Sequence, residues 1–166
     1  MDADCRGNWN NLTSFEDTST AKSRTGYVIR FTGCPIVWGS KLQTQIVLST
    51  TEAEYIALST AMREVIPFIN IIQDLKERNF IEADSTADFH CKVFKDNNGD
   101  LELAKTPKMR PRTTHINVIY RWFFEHVRNK AIKLCPISTQ HQLADIFTKP
   151  LPSKPFLQHR KSALHW

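Results

Sequence analysis

The chain is predicted to form one α/β domain built on a mixed sheet with helices on its faces. Three observations carry that prediction. Short β-rich runs come first, a long helical periodicity starts at Thr50, and strand and helix patterns then alternate towards the C-terminal end. The length of 166 residues suits a single core, and no internal repeat or low-complexity tract interrupts it.

Residues 7–26 are rich in Asn, Ser, Thr and Gly without an apolar period, and read as a long loop. Tyr27–Thr32, Ile36–Trp38 and Gln45–Leu48 read as an antiparallel meander, with Gly33 and Pro35 marking one turn and Gly39–Ser40 opening the next. From Thr50 the pattern is helical: Ile56, Ala57, Met62 and Val65 fall near one face, and Thr50 or Thr51 can cap the start. Pro67 interrupts this period, which Phe68, Ile71, Ile72 and Leu75 resume. The expectation is a kinked helix, or two abutting helices, ending near Arg78–Asn79.

Phe80–Asp88 reads as a surface loop. Phe89, Cys91 and Val93 then alternate with His90, Lys92 and Phe94 in a strand that stops at Asp96–Asn97–Asn98–Gly99. A short helix over Asp100–Lys105, a basic loop around Pro107–Pro111 and a helix over Ile116–Val127, packed through its aromatic residues, should follow. Ile132 and Leu134 mark a last strand, and Gln142–Thr148 a last helix stopped by Pro150. Residues 1–157 are expected to form the domain and 158–166 a frayed tail.

Apolar residues make up 41% of the chain, and no stretch reads as long enough for a membrane span, so a soluble protein without membrane partners is expected. Met1 is followed at once by Asp2 and Asp4, without the basic and apolar regions of a secretory signal, which points to an intracellular protein. Cys5, Cys34, Cys91 and Cys135 are scattered and form no C-x-x-C pair. This argues against a zinc site and a disulfide framework. The net charge of +5 is unevenly distributed: residues 1–104 hold 10 Lys/Arg against 15 Asp/Glu, and residues 105–166 hold 12 against 2. An acidic half that gathers cations joined to a basic half that holds phosphates suits a nuclease, although basic surfaces are often only solvated.

Phosphodiester hydrolysis with Mg²⁺ needs carboxylates converging on the ions, and because Mg²⁺ keeps several waters, three or four Asp/Glu at strand ends and helix starts suffice. Asp2, Glu54, Asp96 and Asp145 lie where such a cluster would need them. Each alone has a plainer role: Glu54 favouring a helix N-terminus, Asp96 capping a helix, Asp145 solvated, Asp2 part of a loose start.

The wording around them is more specific. Asp2–Ala3–Asp4, Arg24–Thr25–Gly26–Tyr27–Val28, Leu48–Ser49–Thr50–Thr51–Glu52–Ala53–Glu54–Tyr55–Ile56–Ala57–Leu58, Phe94–Lys95–Asp96–Asn97, Arg112–Thr113–Thr114–His115–Ile116 and Gln142–Leu143–Ala144–Asp145–Ile146–Phe147–Thr148–Lys149–Pro150–Leu151 succeed one another along the chain. In that order they resemble the motifs of the ribonuclease H domain of copia-type retrotransposon Pol polyproteins, and the resemblance spans nearly the whole chain. It implies a ribonuclease H-like sheet, an antiparallel meander plus parallel strands, with helices on both faces. It implies a metal-dependent endonuclease that hydrolyses the RNA strand of an RNA/DNA hybrid, using two Mg²⁺ ions, or Mn²⁺ in their place. It also implies an upstream reverse transcriptase domain, and a location in the cytoplasm or a virus-like particle. The family's catalytic, metal-binding carboxylates fall on Asp2, Glu54, Asp96 and Asp145, with Asp2 preferred to Asp4 and Glu54 to Glu52. The order Asp, Glu, Asp, Asp differs from the Asp, Asp, Glu of a retroviral-type integrase.

Lys105, Lys108, Arg110 and Arg112 form the best candidate for a loop gripping a nucleic-acid backbone, with His115 either contacting substrate or ordering the loop. His141 precedes the last helix roughly where cellular relatives place a proton-shuttling histidine. Trp38, Tyr120 and Trp122 can stack on bases but are more often core, and Asp96–Asp100 resembles a calcium loop only weakly. The apolar strand that leads into the family's first Asp, central to its sheet, is absent ahead of Asp2. A truncated central strand and a poorly folded isolated chain are therefore expected. The alternative from another class is an inactive retroelement relic that still binds nucleic acid through its basic half.

Overall fold

The computed structural model describes residues 1–7, 9–10, 12, 16–80, 91–96, 123 and 125–164. Seven elements carry the fold: β1 (Asp2–Asp4), β2 (Arg24–Phe31), β3 (Cys34–Leu42), α1 (Thr50–Glu77), β4 (Cys91–Lys95), β5 (Ile132–Pro136) and α2 (Ser153–Leu164). Strands β1, β2 and β3 form an antiparallel sheet in that order, and β4 pairs with β5 in parallel. The architecture is the mixed α/β one that the sequence predicts.

The β2–β3 hairpin turns through Thr32 and Gly33, with Phe31 paired to Cys34 and φ of 50° and 90° at the two turn residues. Two consecutive positive φ values make the tight turn whose twist matches antiparallel strands, and Gly33 adopts its value without the steric cost Thr32 meets. Pro35 lies beside a register shift at Ile29/Arg30, on a strand paired along one edge only among the described residues, where a missing N–H is tolerated.

Several sequence expectations are corrected. Gln45–Leu48 is not a strand: only Val47 of that run is buried, and the third member of the meander is β1. Arg24–Gly26, read as loop, belongs to β2, because pairing to β1 on one side and β3 on the other overrides a weak local preference. Ser49, rather than Thr50 or Thr51, caps α1, its hydroxyl accepting from the Glu52 N–H at 3.1 Å while the Glu52 carboxylate accepts from the Leu48 N–H at 3.1 Å. Pro67 lies within one continuous helix, exposed on its outer side. The expected last helix, Gln142–Thr148, is a 3₁₀ turn over Leu143–Phe147, preceded by another over Thr139–His141. Residues 158–164, expected as a frayed tail, continue α2, in which His159 and Ala163, four residues apart, are buried on one face. The loop at Phe80–Asp88 (past Phe80), the helix at Asp100–Lys105, the basic loop and most of Ile116–Val127 lie outside the described residues; residues 125–128 are helical.

By length and apolar composition α1 reaches what a membrane span needs, contrary to the sequence reading. Over half of its most apolar stretch is buried in the fold, as befits a core helix. Tyr55, Leu58, Met62, Val65 and Ile66 on α1 meet Val93 of β4, Ile132 of β5 and Phe123 in one apolar cluster. Leu58, Met62, Ile132 and Phe123 are almost fully enclosed, each contributing roughly 1.5–3 kcal/mol of burial.

The sheet holds different partners on its two faces. Thr25 is tied to α1 through Gln43, whose amide donates to the Thr25 hydroxyl at 3.0 Å and to the Ala53 carbonyl at 2.8 Å. Gly26, one position along, faces the 143–147 turn. A Cβ there would stand 2.8 Å from the Ala144 carbonyl and 2.9 Å from the Phe147 Cβ, so only glycine lets the turn pack this closely.

Candidate metal centre

The packing of α1 below the sheet and of the 143–147 turn above it brings distant carboxylates together at β1. Asp2 pairs in register with Gly26, directly beneath the turn that carries Asp145. Glu54, one turn into α1, accepts from the Ala3 N–H at 3.1 Å. Asp96 follows the last residue of β4, where the Thr139 hydroxyl donates to it at 3.3 Å. Oxygens of Asp2, Glu54 and Asp96 all lie within 4.8 Å of one another.

Asp145 stands beside this triad, joined to Asp2 through Thr148, whose hydroxyl donates to Asp2 Oδ2 at 2.6 Å, and through Lys149, whose ammonium lies 2.9 Å from Asp145 Oδ2 and 4.0 Å from Asp2 Oδ2. Burial pushes the Asp145 pKa up to about 6, against the opposing hydrogen bond from Lys149 and with the help of the Asp2 charge. Burial lowers the Lys149 pKa, but the Asp145 hydrogen bond and the charges of Asp2, Asp145 and Asp96 outweigh it, and the net shift is upward. The buried Asp145 Oδ1 has no hydrogen-bond partner among the described residues.

The four residues named from the sequence, Asp2, Glu54, Asp96 and Asp145, therefore share one corner. Neither competing carboxylate joins the triad: Glu52 caps α1, and Asp4 is half-buried against Gly7, its pKa raised by burial. The donor set fits a hard divalent cation, being all oxygen, convergent and with one buried carboxylate oxygen still unsatisfied. Lys105, Lys108, Arg110, Arg112 and His115, with Tyr120 and Trp122, lie outside the described residues. Trp38 is on β3 and 61% exposed, not core. His141 is exposed and its Nδ1 is 2.7 Å from the Ser138 hydroxyl.

The sequence reading overlooked two lysines at the site. Lys95 is 1% exposed, with its ammonium 3.6 Å from Glu54 Oε2 and 5.7 Å from the centre of the Tyr55 ring. The strand alternation that turns Cys91 and Val93 inward also turns the next odd position inward, and that position holds a lysine. Lys149 is signalled by its place four residues after Asp145.

Comparison with known proteins shows what the chain is similar to in sequence. Over 142 residues, 84% of this chain, it is 36% identical to the "Retrovirus-related Pol polyprotein from transposon TNT 1-94" of Nicotiana tabacum. It is 32% identical over 135 residues (81%) to that from transposon RE2, and 30% over 157 residues (91%) to that from transposon RE1, both of Arabidopsis thaliana. Its homologues are retrovirus-related Pol polyproteins of copia-type transposons. The chain spans only about a tenth of their length: 10%, 9% and 10% respectively. No protein-family model matches it, and no solved structure gives a significant match.

Proposed function

We propose that this Pol-related chain is a ribonuclease H-type endonuclease that hydrolyses the RNA strand of RNA/DNA hybrids with Mg²⁺, or Mn²⁺ in its place. One observation carries the reading: Asp2 of β1, Glu54 of α1 and Asp96 just past β4, far apart in sequence, converge within 4.8 Å of one another, with Asp145 alongside. Bound there, a divalent cation would supply Lewis-acid stabilisation of charge on the scissile phosphate. The carboxylates would hold the ion and orient its waters, while Thr148 and the Ala3 N–H keep Asp2 and Glu54 from turning away. Discrimination of RNA from DNA would rest on contacts to the 2′-hydroxyl. In a longer polyprotein the natural neighbour would be a reverse transcriptase domain, and the place of action intracellular, in the cytoplasm or a virus-like particle.

The test is cleavage of end-labelled RNA/DNA hybrid, RNA duplex and DNA duplex by residues 1–166, with Mg²⁺ and with chelator. Cutting of the RNA in the hybrid alone, abolished by chelator, is expected. Hybrid binding without cleavage under all conditions would favour the inactive relic instead. In a binding titration with the hybrid across salt concentrations, Lys108→Ala and Arg112→Ala should each reduce the salt slope by about one unit.

A further inference from the structure

The number of cations that the centre holds is written in its lysines. We infer that the chain binds a single divalent cation, on Asp2, Glu54 and Asp96, and that the Lys149 ammonium takes the place of a second ion between Asp145 and Asp2. This rests on the metal-dependent reading above and departs from the two ions that the family resemblance implies.

Charge is the first argument. Lys149 already sets a positive charge between Asp145 and Asp2, and Lys95 another beside Glu54, so a second divalent ion would enter a corner that holds two ammonium groups. A second divalent ion there would meet like charge at short range. Asp2, Glu54, Asp145 and Lys95 there are buried, and uncompensated buried charge is strongly unfavourable.

Geometry is the second. The Lys149 ammonium, 2.9 Å from Asp145 Oδ2 and 4.0 Å from Asp2 Oδ2, spans the two carboxylates that a second ion would have to bridge. Asp145 itself stands outside the triad. Its Oδ1, buried and without a hydrogen-bond partner among the described residues, is the ligand atom a second ion would claim once Lys149 were withdrawn.

The two lysines differ in freedom. Lys95 is enclosed against Glu54 and Tyr55, whereas the Lys149 side chain is 35% exposed, so Lys149 can be replaced without opening the core.

The experiment counts Mn²⁺ bound to the full chain by the loss of the free-ion electron paramagnetic resonance signal. The wild type should saturate at about one ion, Lys149→Arg likewise, and Lys149→Met at about two, with the second lost again in Lys149→Met/Asp145→Asn. Thermal unfolding of each variant confirms that it is folded at the titration temperature. Two ions on the wild type, or one on a folded Lys149→Met, would overturn the role given to Lys149 while leaving the metal centre standing. No bound ion on any of the proteins would overturn the metal-dependent reading itself, and this inference with it.

Discussion

Two neighbouring regions beside β1 are built to opposite standards. On one side, the carboxylate corner is closed by polar contacts: the Thr148 and Lys149 side chains on Asp2, the Ala3 backbone N–H on Glu54, and Lys95 against Glu54. On the other lies a cleft of about 570 Å³ between Tyr27–Ile29 of β2 and Cys91–Phe94 of β4, floored by Ala61, Met62 and Val65 of α1. Strand β1 reaches β2 only through Asp2–Asp4. Among the described residues its end meets β4 through the Met1 amine, which donates to the Phe94 carbonyl at 3.4 Å, and through the Gln142 amide, shared between the Met1 carbonyl at 3.0 Å and the Phe94 carbonyl at 3.5 Å. The corner holds its carboxylates through short polar contacts, while the cleft leaves space between apolar side chains of three elements among the described residues. Local polar contacts can order a site that the surrounding core supports only in part.

The largest effect should come from filling the cleft. Placing six residues of alternating apolar pattern ahead of Met1 gives both facing strands a ladder partner and adds two or three core side chains, each worth about 2–5 kcal/mol. The melting temperature should rise by many degrees, and a Gly-Ser extension of equal length should leave it unchanged. Equal melting of the two would mean that the added residues do not occupy the cleft.

A smaller loss is expected on the closed side. Gly26→Val pushes its side chain into the Ala144 carbonyl and Phe147, costing about 1–3 kcal/mol and moving Asp145 away from Asp2. Gly33→Ala, with nothing within 4 Å but φ of 90°, should cost only about 1 kcal/mol and spare the site. Denaturant unfolding of both variants ranks them, and equal losses would remove the special role of the turn at Gly26.

The smallest effect is a pH dependence. Because burial raises the Asp145 pKa from 3.8 to about 6, the fold favours its protonated form. That contribution is complete below about pH 4 and lost as the pH rises through about 6. Without metal, the melting temperature of the wild type should therefore fall relative to Asp145→Asn between these values. A constant difference would show that Asp145 stays ionised throughout.

Much of this was legible in the sequence, wherever the local pattern and the tertiary structure agree. Alternation located β2, β4 and β5, and the 3.6-residue period located α1 with Ala57, Met62 and Val65 inward. Motif wording brought Asp2, Glu54, Asp96 and Asp145 together before any geometry did. What was missed depends on non-local partners. Arg24–Gly26 is strand only because β1 and β3 flank it, and Gln45–Leu48 has strand-like composition but no ladder. α2 carries too few apolar residues for its period to stand out, although Pro155 suits a first turn. Lys95 escaped notice because a charged residue at an inward strand position reads as solvent-facing until its carboxylate partner is known.

The most direct test of the central claim is the Mg²⁺-dependent rate of RNA-strand cleavage for the wild type, Glu54→Gln and Glu52→Gln, each shown by thermal unfolding to be folded. Glu54 lies in the carboxylate triad, whereas Glu52 caps the helix two residues away. Glu54→Gln should lose at least about a hundredfold in rate, and Glu52→Gln should stay within a few-fold of wild type. Equal losses at the two positions, or a Glu54→Gln protein that cuts hybrid as fast as wild type, would contradict the account.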